Sequence, residues 1–219
     1  MSGNNNYDVD FIKDLPRIFS NKESYYAAAD AHIVNVMAKA PVNTDQIYST
    51  YKKLYAGHES DIPDYVKESY EEAKRNVAGK SAPDFEMEDV NGNKIKLSDL
   101  KGKTIYIDVW ATWCGPCKIE IPNMFNLAEH YKDDNTVFLV SISIDQDTDR
   151  WKNTMNLIEN KPSNWGQYHV IGALDSDFCK RYNIVGIPRF MLIDRDGKVV
   201  SLDAPRPGQP ETISLIDQQ

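Results

Sequence analysis

Basic clusters, long apolar runs and cysteines are all scarce in this chain. Its 219 residues carry a net charge of −8, and no Lys/Arg cluster or aromatic-interleaved basic stripe breaks the acidic balance. That argues against nucleic acid and anionic membrane as main partners. The longest apolar runs, such as Val137 to Ile144, are too short and too polar to span a bilayer. They read as buried strands. The opening stretch, MSGNNNYDVDFIKDLPRIF, has neither a basic n-region nor a continuous apolar h-region. Read literally it is a cytoplasmic start, although a mature secreted chain looks the same. Three cysteines, Cys114, Cys117 and Cys179, are too few for a disulfide scaffold, and an odd count leaves one unpaired. Cysteine usage therefore leaves the compartment open. No tandem repeat or low-complexity tract occurs. The hydrophobic content of 41% suffices for one sizeable core, or a core with a small appendage.

Residues 1–79 differ from the rest. They hold no Cys or Trp but eight of the twelve tyrosines. NKESYYAAADAHIVNVMAKA predicts a helix capped by Ser20 or Asn21 and carried to Pro41. A second helix starts at Thr44 or Asp45, with Ile47, Tyr48, Tyr51, Leu54 and Tyr55 at helical spacing, and closes at Gly57. SDIPDYVKESYEEAKRNVAG predicts a third, with Ser60 or Asp61 as cap, Pro63 in its first turn and Gly79 at its end. The segment is expected to be a small all-helical unit whose Tyr and Ile stripes pack between helices.

KSAPDF marks a boundary, and residues 80–219 alternate strands with helices. FEMEDVNGNKIKLSDL predicts a hairpin turning at Asn91-Gly92. TIYIDVW is a buried strand that runs into Cys114, and a helix follows to about Tyr131. TVFLVSISID is a second buried strand, Asp147 to about Asn160 a helix, QYHVIG a short strand and SDFCKRYNI a short helix. RFMLIDRDGKVVSL is a hairpin turning at Asp196-Gly197, and a final helix starts at Pro210. The expected fold is α/β: a mixed sheet with helices on both faces.

The chemistry concentrates in DVWATWCGPCKIEIP, residues 108–122. A cysteine pair two residues apart serves as a redox dithiol, half a zinc site or a structural disulfide. Cys114 follows a strand and opens a helix, where the dipole and unpaired backbone N–H groups lower a thiol pKa from about 8.5 into the range of roughly 3.5–7.5. Cys117, one turn inside, is better shielded. That asymmetry has Cys114 attacking a partner's disulfide and Cys117 resolving the mixed disulfide. Zinc needs about four ligands, yet there is no second CxxC, and His32, His58, His130 and His169 are scattered. Haem attachment needs His after the second cysteine, where Lys118 stands. A purely structural disulfide suits so short a loop poorly.

With APDFEMEDVNGNKIKLSDLKGK, IDVWATWCGPCKIEIP and YNIVGIPRFMLIDRDGKVV, the chain from about Ser81 onward resembles thioredoxin-fold thiol–disulfide oxidoreductases of the TlpA/ResA type, close to those of Bacteroidetes. The resemblance implies a thioredoxin fold, preceded here by the helical segment. It implies that Cys114 and Cys117 are catalytic, and that Pro188 is a cis-proline facing them, with the Ile187 backbone pairing to an incoming substrate strand. Asp108 matches the buried acid of thioredoxins, and Glu120 the acid that ResA-like proteins place near the dithiol. Buried beside thiols, either is expected to have a raised pKa and to serve as proton acceptor. The alternative for Glu120 is a solvated charge. Trp113, Gly115 and Pro116 would flank the client, Trp110 would lie in the core, and Pro122 would kink the helix. Gly115-Pro116 resembles reducing thioredoxins. Implied partners are protein disulfides and an upstream electron donor, with no metal or organic cofactor. The implied location is outside the cytoplasm, often with a membrane tether in a segment not in this chain.

Two departures stand out. Arg189 follows Pro188, as a cation toward thiolate or acidic substrates or as a solvated charge. Cys179 reads as a small buried hydrophobe. Alternatives are a peroxiredoxin-like peroxidase, whose required Pro and Thr are replaced by Ile107 and Ala111, and a thiol-based metal chaperone or adaptor.

Overall fold

In a computed structural model describing residues 7–39, 44–75, 78–158 and 160–219, the chain forms two compact units, Met1–Ala78 and Gly79–Gln219. The first contains α1 (Tyr7–Ile18), α2 (Lys22–Met37), α3 (Thr44–Leu54) and α4 (Asp64–Arg75). No helix was expected at α1. Its signal is weak because only Val9, Ile12 and Leu15 turn inward and Pro16 sits in its last turn. Asn21 caps α2 by accepting the Ser24 N–H at 2.7 Å, which removes one orphan donor. This helix stops at Met37, short of Pro41, which lies outside the described residues. Ser60 and Asp61 do not cap α4. They belong to a separate 3-10 turn, Glu59–Asp61, and α4 starts beyond Pro63.

The tyrosines pack between these helices around one carboxylate. Buried Asp30 of α2 accepts the hydroxyls of Tyr51 at 2.6 Å and Tyr55 at 2.8 Å, both from α3 or its end. Tyr65 of α4 reaches its other oxygen at 3.4 Å. Stacked rings extend the cluster, Tyr26 on Tyr55 at 4.2 Å and Tyr48 on Tyr70 at 3.8 Å. A buried charge is tolerable only when hydrogen-bonded, and here three phenols satisfy it.

The second unit has the thioredoxin-like α/β fold. Its strands are β1 (Glu86–Asp89), β2 (Lys94–Lys96), β3 (Thr104–Trp110), β4 (Val137–Ser143), β5 (Trp165–His169), β6 (Arg189–Ile193) and β7 (Val199–Ser201). They form one mixed sheet in the order β2-β1-β5-β4-β3-β6-β7. β3, β4 and β5 run parallel, β1 is antiparallel to β5, and β6 is antiparallel to β3. The β1–β2 and β6–β7 hairpins turn through Gly92 and Gly197, whose φ values of 85° and 78° suit glycine. The helices are α5 (Gly115–His130), α6 (Thr148–Met155), α7 (Asp177–Arg181) and α8 (Pro210–Asp217). The helix expected from Asp147 to Asn160 is shorter. Asp147 caps it through the Arg150 N–H at 3.0 Å, but it ends at Met155, and the next apolar residue, Leu157, is exposed.

All seven residues of β3 are buried. Side chains alternate between sheet faces, so Tyr106, Asp108 and Trp110 share one face. Tyr106 packs there in a core with Met124, Leu127 and Ala128 of α5, Leu139 of β4, Trp165 of β5 and Ile216 of α8. Asp108 therefore lies on the face that α5 covers. By the same alternation, so does Ser141, two residues beyond Leu139.

Asp30 gives the helical unit a clear test. Tyr51→Phe, which removes a buried hydroxyl from a carboxylate, should lower stability by about 1.5–3 kcal/mol in urea unfolding followed by circular dichroism. An unchanged midpoint would show that the cluster contributes nothing.

Candidate functional site

The chain leaves the sheet at Trp110 and enters α5 at Gly115, with Cys114 as the extended N-cap residue. The loop between is pinned from below. Buried Asp145 accepts the Thr112 backbone N–H at 2.9 Å, its hydroxyl at 2.6 Å and the Ser143 hydroxyl at 2.7 Å. Cys114 and Cys117 are joined as a disulfide with Cα atoms 5.3 Å apart. The Cys117 N–H points at Cys114 Sγ, 3.2 Å away. After reduction the same N–H and the helix N-terminus would favour a thiolate on Cys114. Pro116 occupies the first turn, where a missing N–H costs no helical bond. Trp113 is 54% exposed beside the pair, whereas Trp110 is buried. Pro122 lies inside α5.

The inward stripe of α5 is Cys117, Glu120, Met124, Leu127 and Ala128. Such spacing puts the inner cysteine and Glu120 on the face turned to β3 and Asp108. The two acids differ in what they touch. Glu120 is buried rather than solvated, and both its oxygens are taken. Arg206 donates to one at 2.7 Å and Asn123 to the other at 2.9 Å. The Tyr106 hydroxyl anchors the Arg206 loop by donating to the Pro205 carbonyl at 2.7 Å. Asp108 has no cation partner among the described residues. Ser141 donates to its Oδ2 at 3.1 Å, and Oδ1 is buried without a hydrogen bond. Burial pushes the Asp108 carboxyl up to about 7, Ser141 opposes the rise and Glu120 adds to it.

The Ile187–Pro188 peptide bond is cis. Val109 of β3 pairs with Arg189 of β6, so Pro188 lies one step beyond, at the sheet end from which the cysteine loop departs. Ile187 and Pro188 are half-buried. Arg189 is neither solvated nor turned to the substrate side. It is buried and donates to the Leu202 carbonyl at 3.2 Å and Asp203 at 3.4 Å, groups that follow β7. Cys179 is buried, which raises its thiol pKa. None of Ser141, Trp165, Asp145 and Arg206 was expected at the site. The alternation SIS in TVFLVSISID was the available signal for Ser141, once β3 and β4 are paired in register.

A sheet of this order, with a CxxC disulfide capping the helix after its central strand, defines a thioredoxin-like thiol–disulfide protein. A family model described as Redoxin matches residues 77–218, and the chain belongs to that family. The thiol–disulfide oxidoreductase ResA of Bacillus subtilis (strain 168) is 34% identical over 156 residues, 71% of this chain and 74% of that protein. For ResA of Bacillus thuringiensis subsp. konkukian the match is 34% over 122 residues, 56% of this chain and 66% of that one. Among solved structures, a Bacteroides vulgatus protein assigned as a thiol–disulfide oxidoreductase aligns at TM-score 0.59 and 40% identity. The alignment covers 66% of this chain and 97% of that one. The thioredoxin domain of another thiol–disulfide oxidoreductase from Bacteroides vulgatus aligns at TM-score 0.54 and 27% identity, covering 64% and 98%. The present chain is likewise a thiol–disulfide oxidoreductase.

Asp108 also makes stability depend on pH. Its folded value of about 7 lies above the ordinary 3.8, so between these values the folded protein holds a proton that the unfolded chain releases. The cost of the group is near zero at low pH, grows as pH rises toward 7 and is full above it. Relative to Asp108→Asn, the oxidised wild type should therefore lose roughly 3 kcal/mol of stability between pH 5 and pH 8 in paired denaturant titrations. Parallel pH profiles for the two proteins would contradict this.

Proposed function

We propose that the protein is a disulfide reductase for other proteins outside the cytoplasm, with Cys114 as nucleophile and Cys117 as resolving thiol. The observation that carries the reading is the cysteine pair itself: Cys114 caps α5 and is already bonded to Cys117. The Cys114 thiolate attacks one sulfur of a client disulfide, forming a mixed disulfide and expelling a client thiolate, which takes up a proton. Cys117 gives its proton to the ionised Asp108 at Oδ1. Its thiolate then attacks Cys114 Sγ and expels the second client thiolate. The client gains two electrons, and the Cys114–Cys117 disulfide re-forms. A dithiol donor must reduce it again.

Asp108 is preferred over Glu120 as acceptor because Oδ1 is bare whereas both Glu120 oxygens are occupied. Trp113, Gly115 and Pro116 form the client-facing rim, and all three are exposed. The Ile187 backbone, held before Pro188, offers a strand for the client to pair with. The helical unit is a separate domain of the same chain. No metal or organic cofactor enters this scheme. The extracytoplasmic setting follows the TlpA/ResA likeness. Among the described residues no helix is long and apolar enough to cross a membrane.

Kinetics with a disulfide-bonded protein substrate and a dithiol donor test the scheme. Cys114→Ser should fall to the uncatalysed background. Asp108→Asn should slow the reaction about a hundredfold near neutral pH, the lower range for a lost general base. Glu120→Gln should slow it less than threefold. Wild-type turnover no faster than Cys114→Ser would remove the reductase assignment, and a larger loss for Glu120→Gln than for Asp108→Asn would reverse the two acids.

A further inference from the structure

Trp165 and Ser141 form a short chain of hydrogen bonds that ends on Asp108. The Trp165 indole can only donate. It donates to Ser141 Oγ at 2.9 Å, and Ser141 Oγ lies 3.1 Å from Asp108 Oδ2. With the indole N–H aimed at the serine oxygen, the single hydroxyl proton is free to point at Oδ2. A proton on Oδ2 would make Oδ2 the donor in that contact and leave the serine hydroxyl, which already accepts from the indole, without its acceptor. Oδ1, buried and unpartnered, has no such conflict. Parallel pairing holds the arrangement in place, because Asp108 lies opposite Ser141 in the β3–β4 ladder, and Leu139 opposite Trp165 in the β4–β5 ladder.

We propose that Ser141 and Trp165 are positioning residues that direct the transferred proton to Asp108 Oδ1 and keep the ionised acid accessible near neutral pH. The inference rests on Asp108 as the proton acceptor. Other charges around the site do not supply this function. Glu120 on α5 repels a charged Asp108, and Arg206 is engaged with Glu120. Arg189 on the neighbouring β6 is turned to Leu202 and Asp203. Tyr106 on β3 is held as a neutral phenol by burial. Against burial and Glu120, the Ser141 hydroxyl is the group that stabilises the carboxylate.

The test is an infrared titration of the oxidised full chain from pH 5 to 9, following the carbonyl stretch of a protonated carboxylic acid. No active-site thiol titrates in that state, and Asp108→Asn identifies the band by removing it. Ser141→Ala should raise the midpoint by about one pH unit, a tenfold gain in proton affinity. Ser141→Thr, which keeps a hydroxyl, should restore the native midpoint, and Trp165→Phe should raise it by less than Ser141→Ala does. A Ser141→Ala midpoint equal to that of wild type overturns the positioning role while leaving Asp108 as acceptor. A band that survives Asp108→Asn overturns the acceptor assignment and the positioning role together.

Discussion

The parallel pairing of Thr104–Trp110 with Val137–Ser143 is the constraint on which the rest of the site depends. It sets Asp108 beside Ser141 on the face under α5, and it brings both strands to the same edge. There β3 releases the loop to Cys114, and β4 runs on to Asp145, which ties that loop down through Thr112. A one-residue slip in this register would leave Asp108 and Ser141 on opposite faces of the sheet and part Asp145 from Thr112. The buried hydrophobes of β3 and β4 thus do more than fill a core. They hold a polar site in register below a reactive pair.

Two buried acids share the inner face of α5 and the strand beneath it, and their surroundings give them different work. Glu120 is neutralised by Arg206, itself about half exposed, so this ion pair is worth little as a source of stability. Its effect is to fix the helix against the 205–209 loop and to limit the negative field felt by Asp108. Asp108 has a hydroxyl on one side and nothing on the other. A carboxylate so placed is poorly solvated as an anion, which raises its affinity for a proton. Its desolvation cost is carried by the fold at neutral pH.

Much of this was legible in the chain. The apolar run ending at Cys114 and the glycine turns at Asn91-Gly92 and Asp196-Gly197 predict what the fold contains. What escaped was non-local or weakly patterned. Helix α1 shows only three inward apolar residues and carries a proline, so its order comes from packing rather than propensity. The partners that bury Arg189 come from the chain after β7, and Arg206 is 86 positions from Glu120, in a proline-rich loop with no periodic signal. Sequence left Asp108 and Glu120 equivalent as acceptors. The proposal for Asp108 rests on the hydrogen-bond partners of each carboxylate, which no local pattern shows.

The division of labour between the two cysteines is tested most directly by mapping trapped intermediates. Reduced Cys117→Ala protein is mixed with a disulfide-bonded protein substrate, digested without reductant and analysed by mass spectrometry. The account predicts a mixed disulfide between Cys114 and a client cysteine, and no comparable adduct on Cys117 in the Cys114→Ala protein. Adducts on Cys117 or Cys179 as abundant as those on Cys114, or none on Cys114, would contradict it.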